Sequence, residues 1–250
     1  MDNFDIYKLK TAGLTNQQVI NVLEYAEIRE KELSVKDMAV VSECRNPALF
    51  IEKYLQLDDD LLRQEFEKFP SFSILEDVYP WDLSEIYNPP VLLFYKGNLD
   101  LLKLPKVAVV GSRNSSRVGS QSVQKIIKEL NNELVIVSGL ARGIDTSAHM
   151  AALQNGGRTI AVIGTGLDVF YPRANKKLQS YLGEHHLVLS EYGPEAEPLK
   201  FHFPERNRII AGLCRGVIVA EAKMRSGSLI TCERAMEEGR DVFAIPGSIL

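Results

Sequence analysis

The sequence predicts a doubly wound α/β protein, a mostly parallel sheet preceded by a small, all-helical unit. Three observations predict it. Between residues 107 and 245, short runs rich in Val and Ile recur, as strands buried on both faces do. Segments of helical length separate these runs. The loops after the runs combine glycine with arginine or lysine, and open α/β sheets bind ligands at the carboxyl ends of their strands.

In chain order, the first part reads as helical. Thr15 followed by Gln18 forms a capping-box pattern ahead of VINVLEYAEI, where Val19, Leu23 and Ala26 recur at helical spacing. NPALFIEKYLQL and DDLLRQEFEKF are further helices, and Asp58 to Asp60 suit the positive end of the second. Pro70, Pro80, Pro89 and Pro90 then interrupt the chain before VLLFYKG at 91–97. The predicted strands that follow are 107–110, 134–138, 159–163, 187–190, 216–220 and 241–245. Helices are expected near 118–130, 144–155, 173–183, 206–213 and 228–239. This divides the chain into an acidic helical domain with its linker, 1–84, and a sheet domain, 85–250.

Composition narrows the function classes. With 45% hydrophobic and 25% charged residues in 250, the chain has the make-up of a soluble globular protein. Its apolar runs are strand-sized, too short to span a bilayer. MDNFDIYKLK lacks the order of a signal peptide. Cys44, Cys214 and Cys232 read as reduced thiols of a cytoplasmic protein. The net charge of −4 hides an asymmetry: residues 1–100 carry 10 Lys/Arg against 19 Asp/Glu, and residues 101–250 carry 19 against 14. The basic second part keeps a polyanionic partner in play.

The strand-end loops point the same way. KVAVVGSRNSSRVGS joins an apolar run, the Gly111-Ser112-Arg113 turn and a helix, an order that presents backbone N–H groups to a phosphate. The later loops carry Arg142, then Arg173, Asn175, Lys176 and Lys177, then Lys200, Arg206, Asn207 and Arg208, then Lys223, Arg225 and Ser226. Cations around helix N-termini make an anion site. The competing reading is that these arginines pair with Asp145, Glu191 and Glu221 in the same loops. Phe170 and Tyr171 stand before Arg173, and Phe201, His202 and Phe203 before Arg206; rings beside cations hold single-stranded nucleic acid, and packing under the loops is the alternative. No P-loop and no nucleophile elbow occurs, and Gly164-Thr165-Gly166 lacks the third glycine of a dinucleotide fingerprint. The four histidines lack metal-ligand spacing, so no metal, cofactor or catalytic residue is expected.

KVAVVGSR, VSGLARGIDTSAH, TIAVIGTGLDVFYPRAN, LSEYG, FPERNRIIAGL, VIVAEAKMRSGSLIT and GRDVFAIPG occur in this order, and the series resembles the DprA/Smf family of bacterial DNA-processing proteins, in its streptococcal form. The resemblance spans residues 90–250, and the N-terminal helices are similar as well. It implies an extended Rossmann-like domain after a SAM-like helical domain. It implies a non-enzymatic homodimer that binds and protects single-stranded DNA and loads the RecA recombinase on it during natural transformation. It places DNA contacts on the GSR and YPRAN loops, hence Ser112, Arg113, Arg173 and their neighbours, and puts Arg206, Asn207 and Arg208 in the same signature. Some relatives carry a winged-helix domain without counterpart here, and the family pattern has a further helix after 241–245 that serves dimerisation. The rival reading is a phosphoribohydrolase-like nucleotide-processing enzyme, but where that group has its PGGxGT turn this chain has Arg225-Ser226-Gly227-Ser228-Leu229-Ile230-Thr231, without the double glycine.

Overall fold

The structure is a computed structural model and describes residues 1–29, 32–130, 132–222 and 226–246. Helices come first: α1 (Asn3–Thr11), α2 (Asn16–Arg29), α3 (Val35–Val41), α4 (Pro47–Gln56) and α5 (Asp59–Phe66). The sheet opens with β1 (Ser71–Ser73), followed by α6 (Trp81–Ser84), β2 (Leu92–Gly97) and a 3-10 turn at Leu99–Lys103. Strand and helix then alternate: β3 (Lys106–Gly111), α7 (Arg117–Glu129), β4 (Val135–Ser138), α8 (Ile144–Gln154) and β5 (Thr159–Ile163). A 3-10 turn at Arg173–Asn175 leads into α9 (Lys176–His185), β6 (Leu187–Ser190), α10 (His202–Gly212), β7 (Gly216–Ala220), α11 (Gly227–Glu237) and β8 (Asp241–Ala244).

The described strands form one sheet in the order β1-β2-β6-β5-β4-β3-β7-β8. From β6 to β8 all pairings are parallel, and β1 and β2 add antiparallel strands at one edge. The chain steps from β3 through β4 and β5 to β6, then returns to lay β7 on the other side of β3. That reversal puts a crevice beyond the carboxyl ends of β3 and β7, where such sheets take ligands. The fold is therefore the extended Rossmann-like one expected.

Alternation along β3 serves two layers. Val107 and Val109 pack with Val123, Ile127 and Ala148 of α7 and α8. Ala108 and Val110 face the layer of α6, α10 and α11, with Leu83, Ile209 and Ala235. The N-terminal helices share a core with the sheet: Ile6, Leu9, Val19 and Phe50 cluster with Phe94, Ala161, Ile163 and Val188. The rings of Tyr7 and Phe66 stand 5.4 and 5.7 Å from that of Phe94. A polar network reinforces the seam, with Asn16 donating to Glu191 Oε1 at 2.8 Å.

Three details differ from expectation. The sheet starts at Ser71, upstream of residue 85, because β1 is a three-residue edge strand too short to show alternation. Helices α1 and α3 were not read in the sequence. Each opens with a capping box, Asp2 with Asp5 and Ser34 with Asp37, that uses Asp where the common pattern has Glu or Gln. Helix α10 starts at His202 rather than 206; Pro204 lies in its first turn, where a missing N–H costs nothing. The Thr15–Gln18 box is present, Thr15 N–H donating to Gln18 Oε1 at 2.9 Å.

Candidate nucleic-acid interface

The turn after β3 is shaped by close approach. A Cβ on Gly111 would stand 1.9 Å from Ala220 O and 2.6 Å from Ile144 Cγ1, so only glycine lets β3 and β7 end side by side. Gly143, at φ +75°, turns the chain into α8, and a Cβ there would meet Ser112 O at 2.2 Å. Ser112 is held from both sides: its N–H donates to Glu221 O at 2.9 Å, and its carbonyl accepts Ile144 N–H at 3.1 Å. Anchored this way, the turn projects Arg113 outward.

These bonds correct part of the phosphate-turn expectation. Ser112 N–H is spent on Glu221, and Asn114 N–H donates to Ser112 Oγ at 3.2 Å. The N-terminus of α7 is closed as well: Ser116 Oγ accepts Gly119 N–H, and the Glu221 carboxylate accepts Ser116 N–H at 2.7 Å. A protein carboxylate thus occupies the positive end where a phosphate was expected.

What the turn presents instead is a cation over a pair of neighbouring rings. The Arg113 guanidinium lies over the Phe203 ring, 5.4 Å from its centroid. The Phe203 ring stands 5.3 Å from that of Tyr171 at an interplanar angle of 35°. Tyr171 is 44% exposed. The three groups border a cleft of about 720 Å³ at the carboxyl ends of the sheet, which Lys200 and Ser226 of the α11 entry also line. Among the described residues, no carboxylate forms an ion pair with Arg113, so the pairing with Asp145 is absent.

Below the rim the residues are locked in. Arg206, 3% exposed, donates from Nη1 to Gly139 O at 2.7 Å and to Val162 O. Beside it Asp145 accepts Ala141 N–H at 3.3 Å. Burial raises the Asp145 carboxyl above the usual carboxylate range, against the opposing fields of Arg206 and Arg113. Burial likewise lowers the Arg206 guanidinium, to about 10. In both groups loss of water sets the direction. Asn207 donates to Gly227 O at 3.2 Å and ties α10 to α11.

The expected contact residues therefore sort by burial. Gly111, Ser112, Arg113, Tyr171, Lys200, Asn207 and Ser226 line the cleft. Arg173 and Lys176 are exposed at the start of α9 and border a separate hollow. Arg142 is exposed outside both, and Arg225 lies outside the described residues. Three further expected residues are buried and bonded within the protein. Arg206 lines the cleft from its floor, its guanidinium held by backbone carbonyls. Arg208 is buried and donates from Nη2 to both Glu191 oxygens at 2.6 and 2.7 Å. Asn175 is buried and donates to Leu140 O at 2.8 Å and Thr146 Oγ1 at 2.9 Å. The cleft also takes Ser228 and Thr231 from α11, two polar residues of the Arg225–Thr231 stretch that were not among the expected DNA contacts.

Residues 71–250 match the family model described as DNA recombination-mediator protein A. The chain belongs to that family. Residues 1–62 match the sterile alpha motif domain of DNA processing protein A, which covers α1 to α4 and the start of α5. The DNA processing protein DprA of Streptococcus pneumoniae is 77% identical over 248 residues, 99% of this chain and 88% of its own length. An X-ray structure of that species' DprA superposes with a TM-score of 0.98 at 76% identity, covering 100% of this chain and 88% of that one. DNA processing protein A from Helicobacter pylori, whose structure is described for its unique single-stranded DNA binding mode, has a TM-score of 0.65 at 32% identity, covering 72% of this chain and 83% of that one. Among the described residues, no helix is long and apolar enough to cross a membrane, and no group of His, Cys, Asp or Glu is arranged to hold a metal.

Proposed function

We propose that this family member binds single-stranded DNA along the rim of the cleft, protects it, and passes it to the RecA recombinase during natural transformation. The observation that carries the reading is the Arg113–Phe203–Tyr171 array, flanked by Lys200. A guanidinium neutralises phosphate, and exposed rings accept the face of any base. Neither encodes sequence. The Helicobacter relative described as binding single-stranded DNA supports the same ligand. We read the protein as a binder rather than an enzyme, a cytoplasmic homodimer. The carboxylate bordering the cleft, Asp145, is buried and tied to Ala141, which suits an architectural role.

The test is a titration of labelled oligo-thymidylate and of duplex of equal length at two salt concentrations. Tighter binding of the single strand, weakening as salt rises, is expected. Preference for one duplex sequence overturns the ligand. The hand-over is tested by RecA filament formation on strands coated with a single-strand-binding protein; no acceleration over RecA alone overturns that step.

A further inference from the structure

Helix α9 carries a second line of cations and rings outside the cleft. Along α9, Lys177, Tyr181 and His185 follow one another at intervals of four, the spacing that stacks side chains along one helix face, and Arg173 of the 3-10 turn precedes them. All four are exposed, while Gln179, Leu182 and Gly183 take the buried face. The line starts two residues from Tyr171 of the cleft rim.

Two shallow hollows meet on this ridge and share Ala174, Lys177 and Tyr181 as their common wall. One is bordered by Arg173 and Lys176. The other is apolar, with Met150 and Leu153 of α8 and Leu178 of α9. Tyr181 is 46% exposed. The His185 ring stands 4.5 Å from it and braces it from the far side. Cations on one side of an exposed ring and apolar surface on the other match the two halves of a nucleotide, phosphate and base. Glu184 borders the cationic hollow at its far end, where its charge repels a phosphate.

We propose that a DNA strand leaving the cleft past Tyr171 continues along α9, with Lys177 on a phosphate and Tyr181 as a platform for a base. This rests on the single-stranded DNA reading of the cleft. Continuity with the cleft rim and the charge of Arg173, Lys176 and Lys177 make a polyanionic strand the occupant. At 1.5 Å per residue α9 adds a track of about 15 Å.

The test compares a short oligo-thymidylate of about 6 nucleotides, enough for the cleft, with one of about 20, enough for cleft and ridge, using the whole chain. Tyr181→Ala should weaken the long oligomer about tenfold and leave the short one unchanged, since stacking on a ring is a large part of sequence-independent binding. Tyr181→Phe should keep the wild-type affinity. Lys177→Ala should weaken the long oligomer and reduce its salt slope by about 0.7, one phosphate's share on a single strand. Both residues are exposed, so melting temperatures should not move. Arg113→Ala is the control and should weaken both lengths. If it does while Tyr181→Ala and Lys177→Ala leave both lengths unchanged, the ridge proposal is overturned and the cleft stands. If Arg113→Ala changes neither length, the cleft reading falls and the ridge with it.

Discussion

The rim and the floor of the cleft use the same residue type for opposite purposes. On the rim, Arg113 has a ring beneath it and water above. In the floor, Arg206 has carbonyls of β5 and of the loop after β4 around its guanidinium. Further along α10, Arg208 clamps Glu191, whose carboxylate also receives Asn16 of the helical unit. One arginine keeps its guanidinium exposed, and the other two hold the loops that shape the cleft. Charge alone does not tell them apart; burial does.

The largest effect should come from breaking the floor. Arg206→Leu would strand the Gly139 and Val162 carbonyls and remove the cation that offsets the buried Asp145 carboxyl. Unpaired buried polar groups of this kind cost about 3 kcal/mol or more together. A drop in melting temperature on the order of 10 °C is expected for a chain of this size. Calorimetry measures it, and a drop of less than 2 or so degrees would place Arg206 with the rim.

The next effect is a pH dependence that belongs to the buried layer. His149 is fully buried, its Nδ1 2.7 Å from Thr159 Oγ1. Desolvation, with smaller contributions from Arg206 and His186, lowers its pKa to about 3. The unfolded chain takes up this proton near the ordinary histidine value, roughly 6.5. The folded state binds fewer protons between those two values, so stability is fully present above roughly pH 6.5 and falls as pH drops toward 3, by about 1.4 kcal/mol per unit. Denaturant unfolding at neutral pH and near pH 5 should show wild type losing about 2 kcal/mol more than His149→Gln. Equal losses would mean that His149 is solvated.

A comparable effect, on affinity alone, separates the rim. Arg113→Ala should weaken single-stranded DNA binding by about 1–3 kcal/mol, whatever the sequence. Its melting temperature should stay that of wild type, because the side chain covers one ring and bonds no buried group. Lowered stability with unchanged affinity would reverse the assignment of rim and floor.

These contrasts also explain what could be read in the sequence. The fold was legible because parallel strands buried on both faces leave unbroken runs such as VAVV and TIAVI, with glycine at their ends. The rim was legible for the same reason, since each run hands its loop to the ligand side. The division into rim and floor was not. In FPERNR, Arg206 and Arg208 look like any loop cations, and only their partners in the fold, the Gly139 and Val162 carbonyls for one and Glu191 for the other, bury them. Phe203 shows how local this is: it was an equal candidate for core and for contact, and lies under Arg113 as a half-buried shelf. Short or atypically capped elements, β1, α1 and α3, lacked the period or the residue that marks them.

The smallest predicted effect tests the motif that first suggested a phosphate site. Strand, glycine turn and helix form the expected order from Val107 to Glu129, yet the helix end is already closed by Ser116 and by the carboxylate of Glu221. Glu221 has φ +56°, a left-handed conformation that costs a non-glycine residue energy. It is held there by the Ser112 N–H on its carbonyl and the Ser116 groups on its carboxylate. If this closed end is architecture, Ser116→Ala removes a helix cap and one hydroxyl bond to Glu221, costing about 1 kcal/mol of stability. Single-stranded DNA affinity should then not change, because on the proposed reading the strand meets Arg113 beyond the turn and not the helix end. If instead a phosphate displaces Glu221 and docks on α7, Ser116→Ala should weaken binding, for it deletes a donor to that phosphate. Paired measurements of melting temperature and oligo-thymidylate affinity on this one variant therefore decide whether the turn works through its backbone, as the motif predicts, or only through the arginine it presents.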